Sequence, residues 1–145
     1  MSAPPEPVDG CTIVGTLLRN YSGLVGIVPT ANIKEGAIQK GAPLPLILLE
    51  NVSSVEPSQP LCRPDDLLTV DRVAVTIRAA SHRERKVIRW LVVRACAGKN
   101  GEIAGAKSVA ILTAGAGPDL RGPGDSFDKT QDFRVTYLSN QGVLP

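Results

Sequence analysis

The single histidine, His82, is the first side chain to consider as a general base, because its ordinary pKa lies closest to neutral pH. It stands beside Arg83 and Glu84 at the start of a predicted helix. A catalytic base needs a nucleophile and an orienting group within hydrogen-bond reach, and the sequence indicates neither of them. We therefore interpret His82 as a solvent-exposed residue at the beginning of a helix.

The three cysteines, Cys11, Cys62 and Cys96, are the next candidates for nucleophiles or metal ligands. They are odd in number, lie far apart and form no Cys-x-x-Cys pair, so the sequence predicts neither a disulfide framework nor a zinc site. Free cysteines commonly pack as small, buried apolar residues. A reducing cytosol is the simplest setting for such a chain.

A glycine-rich segment, Gly115-Ala-Gly-Pro-Asp-Leu-Arg-Gly-Pro-Gly, invites comparison with loops that bind phosphate. It lacks the Lys-Ser/Thr pair of a P-loop, and its prolines remove amide donors that a phosphate cradle uses. The acidic pairs Asp65-Asp66 and Asp125/Asp128 do not match the spacing of a calcium loop, and we interpret them as solvated turn residues. We therefore predict no catalytic residue, no metal and no cofactor, and expect that the protein is not an enzyme.

The composition of the chain limits the classes of partner. At 145 residues we expect a flexible proline-rich arm over residues 1–9 and a single domain over residues 10–145. Aromatic residues make up only 3%, which disfavours stacking platforms for single-stranded nucleic acid. A net charge of +2 does not by itself imply binding to DNA or to a membrane. We find no signal-peptide pattern and no apolar run long enough to span a bilayer, so we expect no membrane partner.

Periodicity predicts two helices and four strands. Alternating apolar residues indicate strands, and a stripe of apolar residues at helical spacing indicates each helix. Residues Lys99 to Lys107 look like a glycine-containing turn. This order predicts an α+β domain with a mostly antiparallel four-stranded sheet and two helices packed on one face. The predicted helices are Gly10–Asn20 and His82–Ala97, and the predicted strands are Pro45–Val52, Leu67–Ala80, Val109–Ala116 and Gln131–Leu138.

The second helix carries an unusual outer face. One stripe of the helix is apolar and is expected to bury against the sheet, and it consists of Val87, Ile88, Leu91, Val92 and Ala95. On the opposite side Trp90 and Val93 stand among Arg83, Lys86 and Arg89, where a solitary helix is normally polar throughout. Three interpretations stay open: a solvated charged face, a contact with a second subunit, and a contact with a nucleic-acid backbone. Because of the apolar pair, we adopt the contact with a second subunit as the hypothesis for these five residues.

A long irregular connection, Gly117 to Thr130, is expected between the last two strands. Structureless connections of more than about a dozen residues are usually functional or disordered. We expect this one to be mobile in the isolated chain and to become ordered only when it contacts a partner. The residues expected to make that contact are Asp119, Leu120, Arg121 and Phe127.

From Thr12 to Leu138 the chain resembles the tail terminator (tail completion) proteins of long-tailed bacteriophages and of phage-derived gene transfer agents. The resemblance rests on an N-terminal helix and on three segments, none of which is a catalytic signature. These segments are Gly41-Ala-Pro-Leu-Pro-Leu-Ile-Leu-Leu-Glu, Asp71-Arg-Val-Ala-Val-Thr-Ile-Arg-Ala-Ala-Ser-His-Arg-Glu and Lys129-Thr-Gln-Asp-Phe-Arg-Val-Thr-Tyr-Leu.

The resemblance implies a structural role in a virion. Such proteins form a hexameric ring on the last ring of the tail tube, stop its polymerisation and present a surface to the neck. The implied partners are further copies of the chain, the tail tube protein and a neck or stopper protein, and the connection from Gly117 to Thr130 is then expected to contact the tail tube or a neighbouring subunit. DNA is expected to pass through the ring without being read. The implied location is the tail-neck junction of a particle assembled in the cytoplasm of a host bacterium. The alternatives are another head-tail connector, such as a stopper, and a small ligand-binding or enzymatic domain.

The predicted start of the second helix can be tested by mutation. Ser81 and Glu84 have the spacing of a capping box, so the Ser81 hydroxyl is expected to accept the amide of Glu84. Ser81→Ala should destabilise the protein by about 0.5 to 2 kcal/mol and lower the unfolding midpoint by a few degrees. Thermal unfolding followed by circular dichroism measures this, and an unchanged midpoint would mean that the helix starts elsewhere.

Overall fold

In the computed structural model, residues 8–38, 42–55 and 67–139 are described. They form three α-helices and seven strands, with short 3-10 turns at Thr30–Asn32 and Pro123–Asp125. The helices are α1 (Gly10–Arg19), α2 (Ser22–Val25) and α3 (His82–Cys96). The strands are β1 (Ile33–Glu35), β2 (Leu46–Val55), β3 (Leu67–Ala79), β4 (Asn100–Ile103), β5 (Ala106–Ala116), β6 (Leu120–Arg121) and β7 (Phe127–Ser139). The expected arm falls mostly outside these ranges, as do Cys62 and Asp65-Asp66.

The strands form one strongly curled, mixed sheet in the order β1-β2-β3-β7-β5-β4, with β6 paired to the start of β7. β1 is parallel to β2, and the other pairs are antiparallel. The predicted four-stranded, mostly antiparallel sheet with two helices is therefore wrong. The three missed strands are short: β1 has three residues, β4 has four and β6 has two, too few to show a repeat. β4 also contains Gly101 at φ +98° beside a register shift, so it resembles a turn in sequence.

β3 and β7 form the central spine of the sheet. Each has thirteen residues, and their pairing runs from Leu67 opposite Ser139 to Ala79 opposite Phe127. Side chains on one face of this pair pack with the helices in the hydrophobic core, including Val73, Val75, Ile77, Phe133 and Val135. The alternation that predicts β3 is therefore the alternation between a helix-covered face and an open face.

The expected long loop from Gly117 to Thr130 is also wrong as a description of this region. β7 already begins at Phe127, and Leu120 and Arg121 form β6, which pairs with the first residues of β7. The turn between them closes through the amide of Gly122, which donates to the carbonyl of Ser126 at 2.9 Å. Charged and polar residues at the start of β7 hide the strand from a search for apolar alternation.

Helix α3 starts and ends close to where the sequence predicts. The Ser81 hydroxyl accepts the amide of Glu84 at 3.1 Å, and the Glu84 carboxylate accepts the amide of Ala80, also at 3.1 Å. The predicted buried stripe is confirmed at Ile88, Leu91, Val92 and Ala95. It is wrong at Val87, which is 38% exposed, whereas Arg85 is only 4% exposed and takes a place in the stripe.

Helix α1 is held to the sheet by a buried carboxylate. Asp71 of β3 is fully buried and accepts the amide of Gly10 at 2.8 Å, the hydroxyl of Tyr137 at 2.9 Å and the hydroxyl of Ser54 at 2.5 Å. A Cβ on Gly10 would lie only 2.7 Å from Val73, so the helix reaches this position because the residue is glycine. Asp9 caps the same helix by accepting the amide of Thr12 at 2.9 Å. The carboxylate thus connects α1, β2, β3 and β7.

No helix in these ranges is long and apolar enough to cross a lipid bilayer.

Tyr137→Phe tests this connection, because it removes one hydrogen bond to a buried carboxylate and leaves the ring in place. We expect a loss of about 1 to 3 kcal/mol in the free energy of unfolding, measured by urea titration. Tyr21→Phe is the matched control, because the Tyr21 ring packs at the edge of the core and its hydroxyl has no hydrogen-bond partner among the described residues. Equal stability of both variants would contradict the role of Asp71.

Candidate assembly surface

A cleft of about 310 Å³ lies between the N-terminal half of α3 and the connection that joins β5 to β7. We call it the basic cleft, since five of its lining residues can carry positive charge and one is acidic. Its lining consists of His82, Arg85, Lys86, Arg89, Asp119 and Lys129. From the sequence, Lys86 and Arg89 were predicted on a helix face and Asp119 in a loop. In the structure these three residues line the same cleft.

Arg85 builds the floor of the basic cleft. Its guanidinium donates to the carbonyls of Leu120 at 3.2 Å and Asp128 at 3.3 Å, and it lies 2.6 Å from Nδ1 of His82. It also forms an ion pair with Asp119 at 3.3 Å. A buried guanidinium is stable only when its donors are satisfied, and here α3 and the connection supply the acceptors. Arg85 was not predicted as a site residue from the sequence, although its position three residues before Ile88 is in phase with the buried stripe.

Asp119 is the acidic group of the basic cleft. Lys129 donates to its carboxylate at 2.8 Å, and Arg85 lies on its other side. The hydrogen bond from Lys129, with the positive charge of Arg85, lowers the pKa of Asp119 below its ordinary value. The carboxylate therefore stays ionised and holds the connection against α3 and β7.

Arg121 and Phe127, which the sequence analysis assigned to a partner contact, contact each other within the subunit. The Arg121 guanidinium lies 4.1 Å from the centroid of the Phe127 ring and donates to the carbonyl of Ser126 at 3.3 Å. Leu120 remains 54% exposed between them and the cleft. The connection is thus folded onto its own subunit, with Leu120 as the apolar side chain it presents to solvent.

The outer face of α3 presents an aromatic side chain among basic ones. Trp90 is 58% exposed, and the Arg94 guanidinium lies 4.7 Å from its ring centroid. Arg83 and Lys86 are exposed, and so is Val87, one turn before Trp90. We call Arg83, Lys86, Val87, Trp90 and Arg94 the outer face of α3.

Two residues predicted for this face have other contacts. Val93 is half-buried and packs against the hydrophobic core. Arg89 is half-buried and donates from Nε to the side chain of Gln131 at 3.2 Å. Both therefore also contribute to the interior of the subunit.

A second cleft, of about 420 Å³, lies where the start of α1 meets β1 and β2. We call it the acidic cleft, because three carboxylates line it, from Asp9, Glu35 and Glu50. Cys11 also lines it, and burial together with the charges of nearby carboxylates raises the pKa of its thiol to about 12. The sequence analysis did not identify this cleft, since its residues come from three separate elements.

A buried thiol and an imidazole complete the titratable groups considered in the sequence. Cys96 is buried, and desolvation raises the pKa of its thiol to about 12, so it stays protonated at neutral pH. Within ranges 8–38, 42–55 and 67–139 no group of three or more His, Cys, Asp or Glu residues is arranged to hold a metal. The Nδ1 atom of His82 faces the guanidinium of Arg85, so this nitrogen serves as an acceptor in the subunit.

No protein-family profile and no curated protein sequence matches this chain. Among solved structures, a chain of the "Virion of native gene transfer agent (GTA) particle" has a similar fold, with a TM-score of 0.71. The alignment covers 90% of this chain and 95% of that chain, at 15% sequence identity. At this identity the similarity shows a shared fold over nearly the whole of both chains.

Asp119→Asn tests how the connection is held. The change removes the charge that pairs with Arg85 and Lys129, so the amides of residues 119–121 should exchange hydrogen several-fold faster at pH 7. The destabilisation of this variant relative to the wild type should be constant above about pH 5, begin to decline near the ordinary aspartate pKa of about 4, and vanish only below the lowered pKa of Asp119 in the folded protein, where the wild-type carboxylate is protonated as well. Hydrogen-exchange mass spectrometry and thermal unfolding measure the two effects.

The control for this variant is Asp125→Asn. Asp125 also lies in the connection, but its side chain is 98% exposed and its carboxylate is 3.8 Å from Arg121. An exposed pair of this kind contributes little. Equally fast exchange in both variants would contradict the account.

Proposed function

We propose that this chain is a structural protein of a phage-like particle and, within it, the tail terminator. In this role it forms a hexameric ring on the last ring of the tail tube, ends tube polymerisation and joins the tail to the neck. The observation that carries the proposal is the fold shared with a chain of a gene transfer agent virion. The sequence resemblance to tail terminators points to the same particle class from independent evidence.

The outer face of α3 supports a role in protein contact. Trp90 and Val87 expose apolar surface to water, which is unfavourable unless a partner covers it. Trp and Arg are also among the residues most enriched at the centres of interfaces. The stacking of Arg94 on Trp90 keeps the ring in a defined position on the helix. We therefore assign this face to the contact between neighbouring subunits of the ring.

The edges of the sheet support contact through side chains rather than through strand addition. β1 at one edge has three residues, and β4 at the other edge has four and a register shift. Short and irregular edges resist open-ended pairing with another sheet. A ring of fixed size needs a contact that closes, which fits surfaces built from helices and loops.

One face of the sheet is not covered by the helices. This open face has the charge pattern expected of a surface that DNA passes without sequence recognition. Two arginines on this face are neutralised by acids of β7, with Arg72 2.7 Å from Asp132 and Arg78 3.2 Å from Asp128. Thr76 and Thr130 form a hydrogen bond between these pairs at 3.1 Å. Paired arginines bind phosphate less tightly than free ones, since each already has a carboxylate partner.

A stopper protein is the closest alternative, because it occupies the same junction and shares the ring symmetry. The two roles differ in particles that lack heads. A terminator remains on free tails, whereas a stopper is absent from them. Purifying free tails from cells that cannot make heads and detecting this chain by mass spectrometry distinguishes the two.

The terminator role predicts a specific defect in tails. Producer cells without this chain should make tails of uncontrolled length, measured by negative-stain electron microscopy, and the wild-type gene should restore one length. Trp90→Ala should complement poorly, because removing an interface Trp commonly costs more than 1 kcal/mol per contact.

Leu112→Ala is the control for Trp90→Ala. Leu112 is 60% exposed and lies on the open face of the sheet, opposite Arg134 in β7. Normal tails with Trp90→Ala would place the ring contact elsewhere, and normal tails without the chain would reject the terminator role.

A further inference from the structure

The two clefts carry opposite charge and are lined by different elements of the subunit, with no residue in common. The acidic cleft is formed by α1 with β1 and β2 at one side of the sheet. The basic cleft lies beyond α3, next to the beginning of β7 and the connection that contains β6. A chain with complementary patches on different sides can join its copies head to tail, and such contacts close into rings when the rotation permits.

The charges that face solvent at the two clefts are not neutralised within the subunit. Among the described residues, neither Glu35 nor Glu50 forms an ion pair or a hydrogen bond through its side chain. The same holds for Lys86, which lines the basic cleft, and for Arg83, which is exposed about one turn before it on the outer face of α3. Each surface therefore has charge available for a partner of the opposite sign.

The pKa shifts inside the clefts have several causes, of which charge is one. Burial is the main cause that raises the pKa of the Cys11 thiol, and the carboxylates of Asp9, Glu35, Asp71 and Glu50 raise it further. The hydrogen bond from Lys129 is the main cause that lowers the pKa of Asp119, and the charge of Arg85 lowers it further. The charge part of each shift agrees with the lining residues of the two clefts.

We propose that the acidic cleft of one copy binds the basic cleft and the outer face of α3 of the next copy, so that Glu35 and Glu50 meet Arg83 and Lys86. This proposal rests on the proposed ring and names the contact that closes it. Trp90 and Val87 lie beside the charged residues, so that the contact has an apolar centre and a charged rim. Complementary charges set the register and reject wrong partners, while the apolar side chains supply most of the affinity.

DNA phosphate is the competing occupant of the basic cleft. Asp119 already pairs with Arg85 and Lys129 inside the cleft, so two of its cations are partly neutralised before a phosphate could approach, whereas a protein surface can place both signs of charge opposite them. The acidic cleft on the same chain supplies such a surface, and a second copy is always present in an assembly. These observations favour a second copy over DNA.

Charge reversal tests the contact in purified full-length protein. The first variant carries Arg83→Glu and Lys86→Glu, and the second carries Glu35→Lys and Glu50→Lys. Each variant alone should self-associate at least about tenfold more weakly than the wild type, because like charges then face each other. An equal mixture of the two should recover association to within about threefold, and so should one chain that carries all four changes. Sedimentation equilibrium at low salt, up to millimolar protein, measures the association constants.

The control reverses two exposed charges away from both clefts. Lys107→Glu with Arg134→Glu changes the net charge as much as the first variant does, and both residues are exposed on β5 and β7. This variant should associate like the wild type. Circular dichroism and thermal unfolding of every variant show whether a loss of association comes from a loss of fold.

Three results would overturn the proposed contact. The first is that either charge-reversal variant associates as strongly as the wild type, and the second is that folded variants show no recovery, in the mixture or in the chain with all four changes. The third is a wild-type protein that stays monomeric at millimolar concentration. Binding of a short DNA duplex that depends on Arg83 and Lys86, together with no recovery in the mixture, would assign the basic cleft to phosphate. The measurement needs no tails, so a rejected contact would leave the terminator role to be decided by tail length.

Discussion

A buried carboxylate on the central strand is the constraint on which the rest of the fold depends. Asp71 is removed from water, and an ionised carboxylate in that position is tolerated only when hydrogen bonds replace its hydration. Gly10, Ser54 and Tyr137 supply them, and these residues belong to the first helix and to the strands on both sides of β3. One charge therefore sets where α1 begins and, with it, where Asp9 meets Glu35 and Glu50 to form the acidic cleft.

Arg85 plays the equivalent part on the other side of the core. It lies in the buried stripe of α3, and its donors find acceptors only because the connection with β6 folds back over the helix. Asp119 and Lys129 complete this arrangement and leave the exposed basic residues of α3 at the rim of the cleft. Asp71 thus fixes the position of the acidic cleft, and Arg85 fixes the position of the basic cleft. Breaking either group would disturb a surface as well as the core.

The elements with long regular patterns were predictable, and those that depend on distant partners were not. The alternation from Val73 to Ala79 and the Ser81 cap are local signals, and β3 and α3 lie where these signals indicate. β1 and β6 exist because β2 and β7 offer them hydrogen-bonding edges, which no local pattern records. The exposure of Trp90 could be predicted from the helical wheel. The basic cleft could not be predicted, because Arg85 and Asp119 meet only after the connection has folded.

The central claim is that copies of this chain form a ring at the end of a tail, and imaging of free tails tests it most directly. Tails purified from cells that cannot make heads would carry this chain with an affinity tag and a gold label. The account predicts that the label lies at one end of the tail only. It also predicts that a cryo-electron microscopy average of that end shows a single sixfold ring into which this fold can be placed. Label along the tube, label on heads alone, or an end without a ring of this fold would contradict it.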